Sequence, residues 1–248
     1  MKITTANLIR WAGLSAMGMG ITFMAMQAIH PLDVLSSVPT PQWAIVHYLG
    51  VAMGFLGVFG MMGLYAKQVE ESGWLGLAGY LLLSVFFVIT TAFQFLEAFI
   101  SPLLATQAPA FVEGFLGIAG GQATGAVVGA LPVVYGLSGF GGYMVGGLLF
   151  GIATFRAGVL PRWASALLAL GAVLPLVTSG LLPHPYDRLL ALPVGAALVW
   201  LGYALWSGRR KQNAEAVLAT RPTHLSQDSA KRMRRKRTDS QNLTTAVS

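Results

Sequence analysis

"FVEGFLGIAGGQATGAVVGALPVVYG", residues 111–136, decides how often the chain crosses a membrane. It is apolar enough to be a span, which needs roughly 20 mostly apolar residues. Counted as one, it would invert everything downstream. Arg156, Arg162 and the basic C-terminal segment would then lie opposite Lys2, Arg10 and Lys67. Cytoplasmic loops concentrate Lys and Arg, so the charge pattern rejects that arrangement. We therefore read 103–135 as an outer-face interfacial or re-entrant segment. Gly121, Gly125 and Gly129 recur every four residues, a spacing that permits close helix contact.

Six other stretches read as spans: about 9–29, 43–65, 74–95, 136–155, 163–182 and 189–206. The expectation is an all-α six-helix bundle of three hairpins with both termini in the cytoplasm. Trp11, Trp74 and Trp163 mark the inner boundary and Trp43 the outer one, where amphipathic indoles settle. The first span follows Lys2 and Arg10 like a signal peptide, but its apolar run is longer than the 7–15 residues of a typical signal core. It is expected to be retained.

Composition agrees with a bilayer protein. Of 248 residues, 55% are hydrophobic and only 10% charged, against about 25% charged in soluble domains. Residues 1–206 hold six basic and six acidic side chains, so the net charge of +7 lies entirely in 207–248. There is no cysteine, which excludes disulfides, thiolate catalysis and Cys-based metal sites. No nucleotide-binding, zinc-protease or serine-hydrolase motif is present, so a non-enzymatic role is favoured.

The first span begins Arg10-Trp11-Ala12 and ends His30-Pro31-Leu32-Asp33. The fifth begins Arg162-Trp163-Ala164 and ends His184-Pro185-Tyr186-Asp187. Internal duplication accounts for the repeat. Convergence accounts for it too, since Arg-Trp suits an inner boundary and proline stops a helix.

The ionisable groups near the outer boundary are His30, Asp33, His47, Glu97, His184 and Asp187. Thr90, Gln94, Glu97 and Ser101 follow at i, i+4, i+7 and i+11, one stripe of a regular helix. A polar stripe faces the bundle or a wet cavity rather than lipid. Convergence of His30, Asp33, His47, Thr90, Gln94, Glu97, His184 and Asp187 would make an outward-facing polar pocket that binds, senses or passes a small solute. The enzymatic alternative is an intramembrane metal-dependent hydrolase. Its zinc would take His30, His47 and His184 as ligands, although none has the close spacing of helical metal motifs. No cofactor is otherwise expected. The plain structural alternative makes each His-Pro-x-Asp a helix stop, with Asp33 and Asp187 bonding nearby backbone N–H groups.

From 207 onward the apolar pattern ends. "KRMRRKR" (231–237) places Lys231, Arg232, Arg234, Arg235, Lys236 and Arg237 in one run. Such a segment is expected to be disordered and to meet anionic lipid headgroups, at about 1 kcal/mol per base near the surface. No aromatic residue follows Trp206 to stack a base, so specific nucleic-acid binding is not expected.

At "GLYAKQVEESGWLGLAGY" (63–80) and "FGIATFRAGVLPRWASALLALGAVL" (150–174) the chain resembles bacterial multi-span proteins of unknown function. The resemblance implies a bacterial cytoplasmic-membrane protein of about six helices. It implies no activity, cofactor or site residue.

Overall fold

The apolar runs fold as helices, and no strand occurs among the described residues. The computed structural model describes residues 3–123, 125–178 and 186–220. His184 and the basic run 231–237 lie outside these, as does the side chain of Asp187. The chain divides into two units, Met1–Arg209 and Arg210–Ser248, and the apolar helices pack together within the first.

Helix α1 (Thr5–Ile29) stops where Pro31 drives His30 out of helical geometry, to φ −68°, ψ 125°. Its last carbonyl, that of Ile29, accepts the Gln42 side-chain amide at 2.8 Å. Helix α2 (Pro41–Ala66) opens with proline in its first turn, and the Thr40 hydroxyl caps the Trp43 N–H. Helix α3 (Val69–Phe95) bends at Gly73, whose φ of +56° and ψ of −157° no helix shares, so its long run begins at Trp74. It continues through a π-helical turn (Leu96–Ile100) into α4 (Ser101–Leu104), 36 residues from Val69 to Leu104. This span overruns the expected end at 95.

The stretch 111–136 forms no membrane-length helix. It breaks into α5 (Pro109–Leu116), α6 (Gly125–Val128) and the start of α7 (Leu131–Leu137). The four-residue glycine spacing is not a helix-contact stripe, which corrects the expectation. Gly121 and Gly129 have φ of +68° and +60°, so they turn the chain. Helix α7 runs through a second π-helical segment (Ser138–Val145) into α8 (Gly146–Ala157), closed by left-handed Gly158. Helix α9 covers Arg162–Thr178, a 3₁₀ segment Tyr186–Ala191, and α10 Leu192–Thr220.

Five helical stretches are long and apolar enough to cross a membrane: Thr5–Ile29, Pro41–Ala66, Val69–Leu104, Leu131–Ala157 and Arg188–Gly208. The sixth expected span, 163–182, is represented by the apolar but shorter Arg162–Leu176. Its remaining residues, from 179, fall outside those described.

The long helices close into a ring in which every neighbouring pair meets at glycine. A Cβ on Gly60 of α2 would lie 2.8 Å from the Ala16 backbone of α1, and one on Gly54 would strike Thr91 of α3. On Gly79 of α3 it would strike the Phe150 backbone of α8, and on Gly151 of α8 it would come within 2.7 Å of Ala169 of α9. Gly171 of α9 packs on Pro193 and Val194 of α10, and a Cβ on Gly202 of α10 would lie 2.7 Å from the Gly13 carbonyl oxygen of α1. Small residues let backbones approach where lipid supplies no hydrophobic drive. Met19, Met61, Phe87, Phe150, Leu168 and Leu201 fill the centre. This ring sets the ends of α1, α3 and α9 beside the starts of α2, α7 and α10. We call that the distal end.

Candidate functional site

Glu97 is positioned by a fault in its own helix. In a regular α-helix the Ser101 N–H would bond the Glu97 carbonyl, but here it bonds Leu96 instead. The next residue able to reach that carbonyl in a π turn is Pro102, which has no N–H. The carbonyl is therefore left without a helical donor. The indole Nε1 of Trp43, on α2, donates to it at 2.8 Å.

Trp43 is fully buried. That corrects its reading as an outer interfacial anchor, whereas Trp11, Trp74 and Trp163 are exposed as expected. One helical turn on, His47 Nδ1 lies 2.7 Å from the Trp43 carbonyl. A carbonyl only accepts, so Nδ1 carries the proton and donates. The other ring nitrogen, Nε2, lies 3.3 Å from a Glu97 carboxyl oxygen. The two do not close a hydrogen bond, and Nε2 has no hydrogen-bond partner among the described residues. Trp43, His47 and Glu97 thus form a closed ring of contacts between α2 and the π turn. With Nδ1 protonated, a bare Nε2 would set a lone pair against a carboxylate. One proton therefore belongs to the His47–Glu97 contact, on the imidazole or on the carboxyl.

Beside this ring lies a cavity of about 590 Å³, within the range of small-molecule sites. His30, Asp33, Thr90, Gln94 and Glu97 line it. His47 stands just behind, its ring centroid 5.2 Å from that of His30. Ser101 is buried but does not line it. The expected four-residue stripe ends at Glu97, because the π turn shifts the register beyond it.

Asp33 does not cap a local turn, as the plain structural alternative supposes. Its carboxylate accepts from Arg188 Nη2 at 2.7 Å, joining residues 155 apart, and stands 3.8 Å from His30 Nδ1. His30 Nδ1 itself donates to the Pro31 carbonyl at 2.7 Å. The His-Pro-x-Asp quartet stops α1 and then ties it to the chain entering α10.

Sequence reasoning missed Arg188, Tyr135 and Ser138, all of which line the cavity. For Arg188 a signal existed: it is the one basic residue in 1–206 on the face opposite the rest. A guanidinium there calls for a carboxylate. Tyr135 carried none, because it sits in the glycine-broken segment, and Ser138 is a lone hydroxyl near the start of the fourth expected span. Phe93 stacks on Phe115 at 5.7 Å and meets Tyr135 edge-on at 5.4 Å, so aromatic rings wall the same space. Both π-helical stretches border it, one through Glu97 and the other through Ser138, Gly139, Tyr143 and Met144. Such bulges concentrate at functional sites.

Among the described residues no three His, Cys, Asp or Glu side chains stand together as a metal site. The zinc alternative needs His184, outside the described residues. No protein-family model, curated protein or solved structure matches the chain, so function has to be argued from this cavity.

The indole–carbonyl bond makes a direct test. Trp43→Phe keeps an aromatic ring but removes the donor, orphaning the Glu97 carbonyl at about 1–3 kcal/mol, and the smaller ring at this buried site adds a packing loss. Thermal unfolding of the purified protein should show that loss, whereas Trp74→Phe on the exposed surface should leave the midpoint unchanged.

Proposed function

We propose that the chain is a multi-pass protein of a bacterial cytoplasmic membrane that binds a small solute in the distal cavity. Six spans, both termini in the cytoplasm and an outward-facing distal end complete the reading. The observation that carries it is the cavity itself. Ionisable and hydrogen-bonding side chains from α1, α3, α7 and the Tyr186–Ala191 segment share one space with aromatic walls. A structural role alone would pair these groups and close the gap, since unpaired polar groups away from water are costly. The positive side of the loops, with Lys67, Arg156 and Arg162, supports the orientation. Residues 231–237 would lie along anionic headgroups on that side.

Gly139 lines the cavity, and a Cβ placed there meets nothing within 4 Å. Gly139→Phe should therefore fill the space without disturbing the fold. Thermal unfolding against panels of amines, carboxylates, sugars and phosphates should find one class that raises the wild-type midpoint and leaves Gly139→Phe unmoved. Stabilisation of neither protein, or of both equally, would remove the binding function.

The absence of cysteine makes the orientation simple to test. Ser36→Cys, exposed beyond α1, should react with an impermeant maleimide on intact cells, and Lys67→Cys only after lysis. The reverse pattern would invert the topology.

A further inference from the structure

We infer that the solute is an organic cation, an ammonium on an apolar body, and that it exchanges for the proton held between His47 and Glu97. The inference rests on the binding function above. It starts from charge. The described ionisable groups around Glu97 are His47 on α2, His30 and Asp33 after α1, Tyr135 on α7 and Arg188 before α10. Arg188 and Asp33 neutralise each other at 2.7 Å. The His47–Glu97 contact is neutral while it holds its one proton, whichever atom carries it. With His30 a neutral imidazole whose Nδ1–H goes to the Pro31 carbonyl, the loaded site sums to zero, and release of that proton leaves one negative charge on Glu97, in the cavity wall.

A cation restores the balance that the proton leaves behind. The Glu97 carboxylate supplies the counter-charge. Phe93, Phe115 and Tyr135 line the same space, and aromatic rings attract a cation that comes within about 6 Å of them. Among the described residues Phe23, Phe86 and Tyr143 line the cavity as well. An anion gains less, because the Asp33 carboxylate already offsets the charge of the guanidinium in the cavity wall, although its buried Nε has no partner among the described residues. The exchange balances simply. The proton leaves the His47–Glu97 contact for water as the ammonium arrives, and returns when it departs. No bond other than those to the proton changes.

Full-length protein in detergent, with benzylammonium, benzyl alcohol and benzoate as probes, tests this by calorimetry with a pH indicator. Benzylammonium should bind at least about tenfold more tightly than the other two and release about one proton per molecule bound. Its affinity should rise by about tenfold per pH unit while the site is protonated, as exchange of a single proton requires. Glu97→Gln should abolish the proton release and flatten the pH dependence, whereas Glu113→Gln, exposed and outside the cavity, should change neither. Tighter binding of benzoate or benzyl alcohol would overturn the cation inference and leave solute binding standing. Benzylammonium binding without proton release, or with release intact in Glu97→Gln, would overturn it as well. If no probe binds, the cation inference falls, while solute binding is decided by the wider panel above.

Discussion

The hydrogen bond from the Trp43 indole to the carbonyl of Glu97 ties α2 to the π turn at the distal end of the bundle. An amide-type bond is worth about 4–6 kcal/mol in an apolar medium against leaving both groups bare. Pro102 creates the need by withholding an N–H, and α2 meets it with a buried indole. The bond lets the π turn exist within a membrane-length helix. It also aims the Glu97 carboxyl at His47, whose own Nδ1 returns to the Trp43 backbone. Removing any member of that ring leaves another with a buried, unmatched polar atom.

The two ends of the bundle treat polar groups differently. At the proximal end Gln68 is buried and donates to Thr154 at 2.8 Å, joining the start of α3 to the end of α8. Thr154 is buried as well, so that contact is a bond across a packed joint. At the distal end the polar groups surround open space, and both π stretches border it. Glycine packing carries the ring of helices through the middle and leaves the distal end to open.

Much of this was legible in the sequence. Apolar run length located the long helices, and their charged loops argued against a span in 111–136, which forms no membrane-length helix of its own, although its last six residues open the stretch Leu131–Ala157. Polarity within an apolar segment picked out Thr90, Gln94 and Glu97, since such groups cannot face lipid. Register was hidden: ideal helical spacing carried the stripe on to Ser101, and only the missing N–H of Pro102 hinted at a π turn. Partners were hidden as well. Trp43 carries the same composition signal whether it faces headgroups or a buried carbonyl, and nothing local to Asp33 points to Arg188. Glycines at 121 and 129 look the same in sequence whether they pack a helix or end one.

The most direct measurement is the protonation state of one imidazole. Solid-state NMR of the protein labelled with nitrogen isotope at histidine resolves both ring nitrogens of His47, assigned by the signals lost in His47→Gln. The contacts to Trp43 and Glu97 require a protonated Nδ1, and an Nε2 signal that moves when Glu97 becomes Gln. A ring protonated at Nε2 alone, or an Nε2 signal indifferent to Glu97, would contradict the ring of contacts on which the site depends.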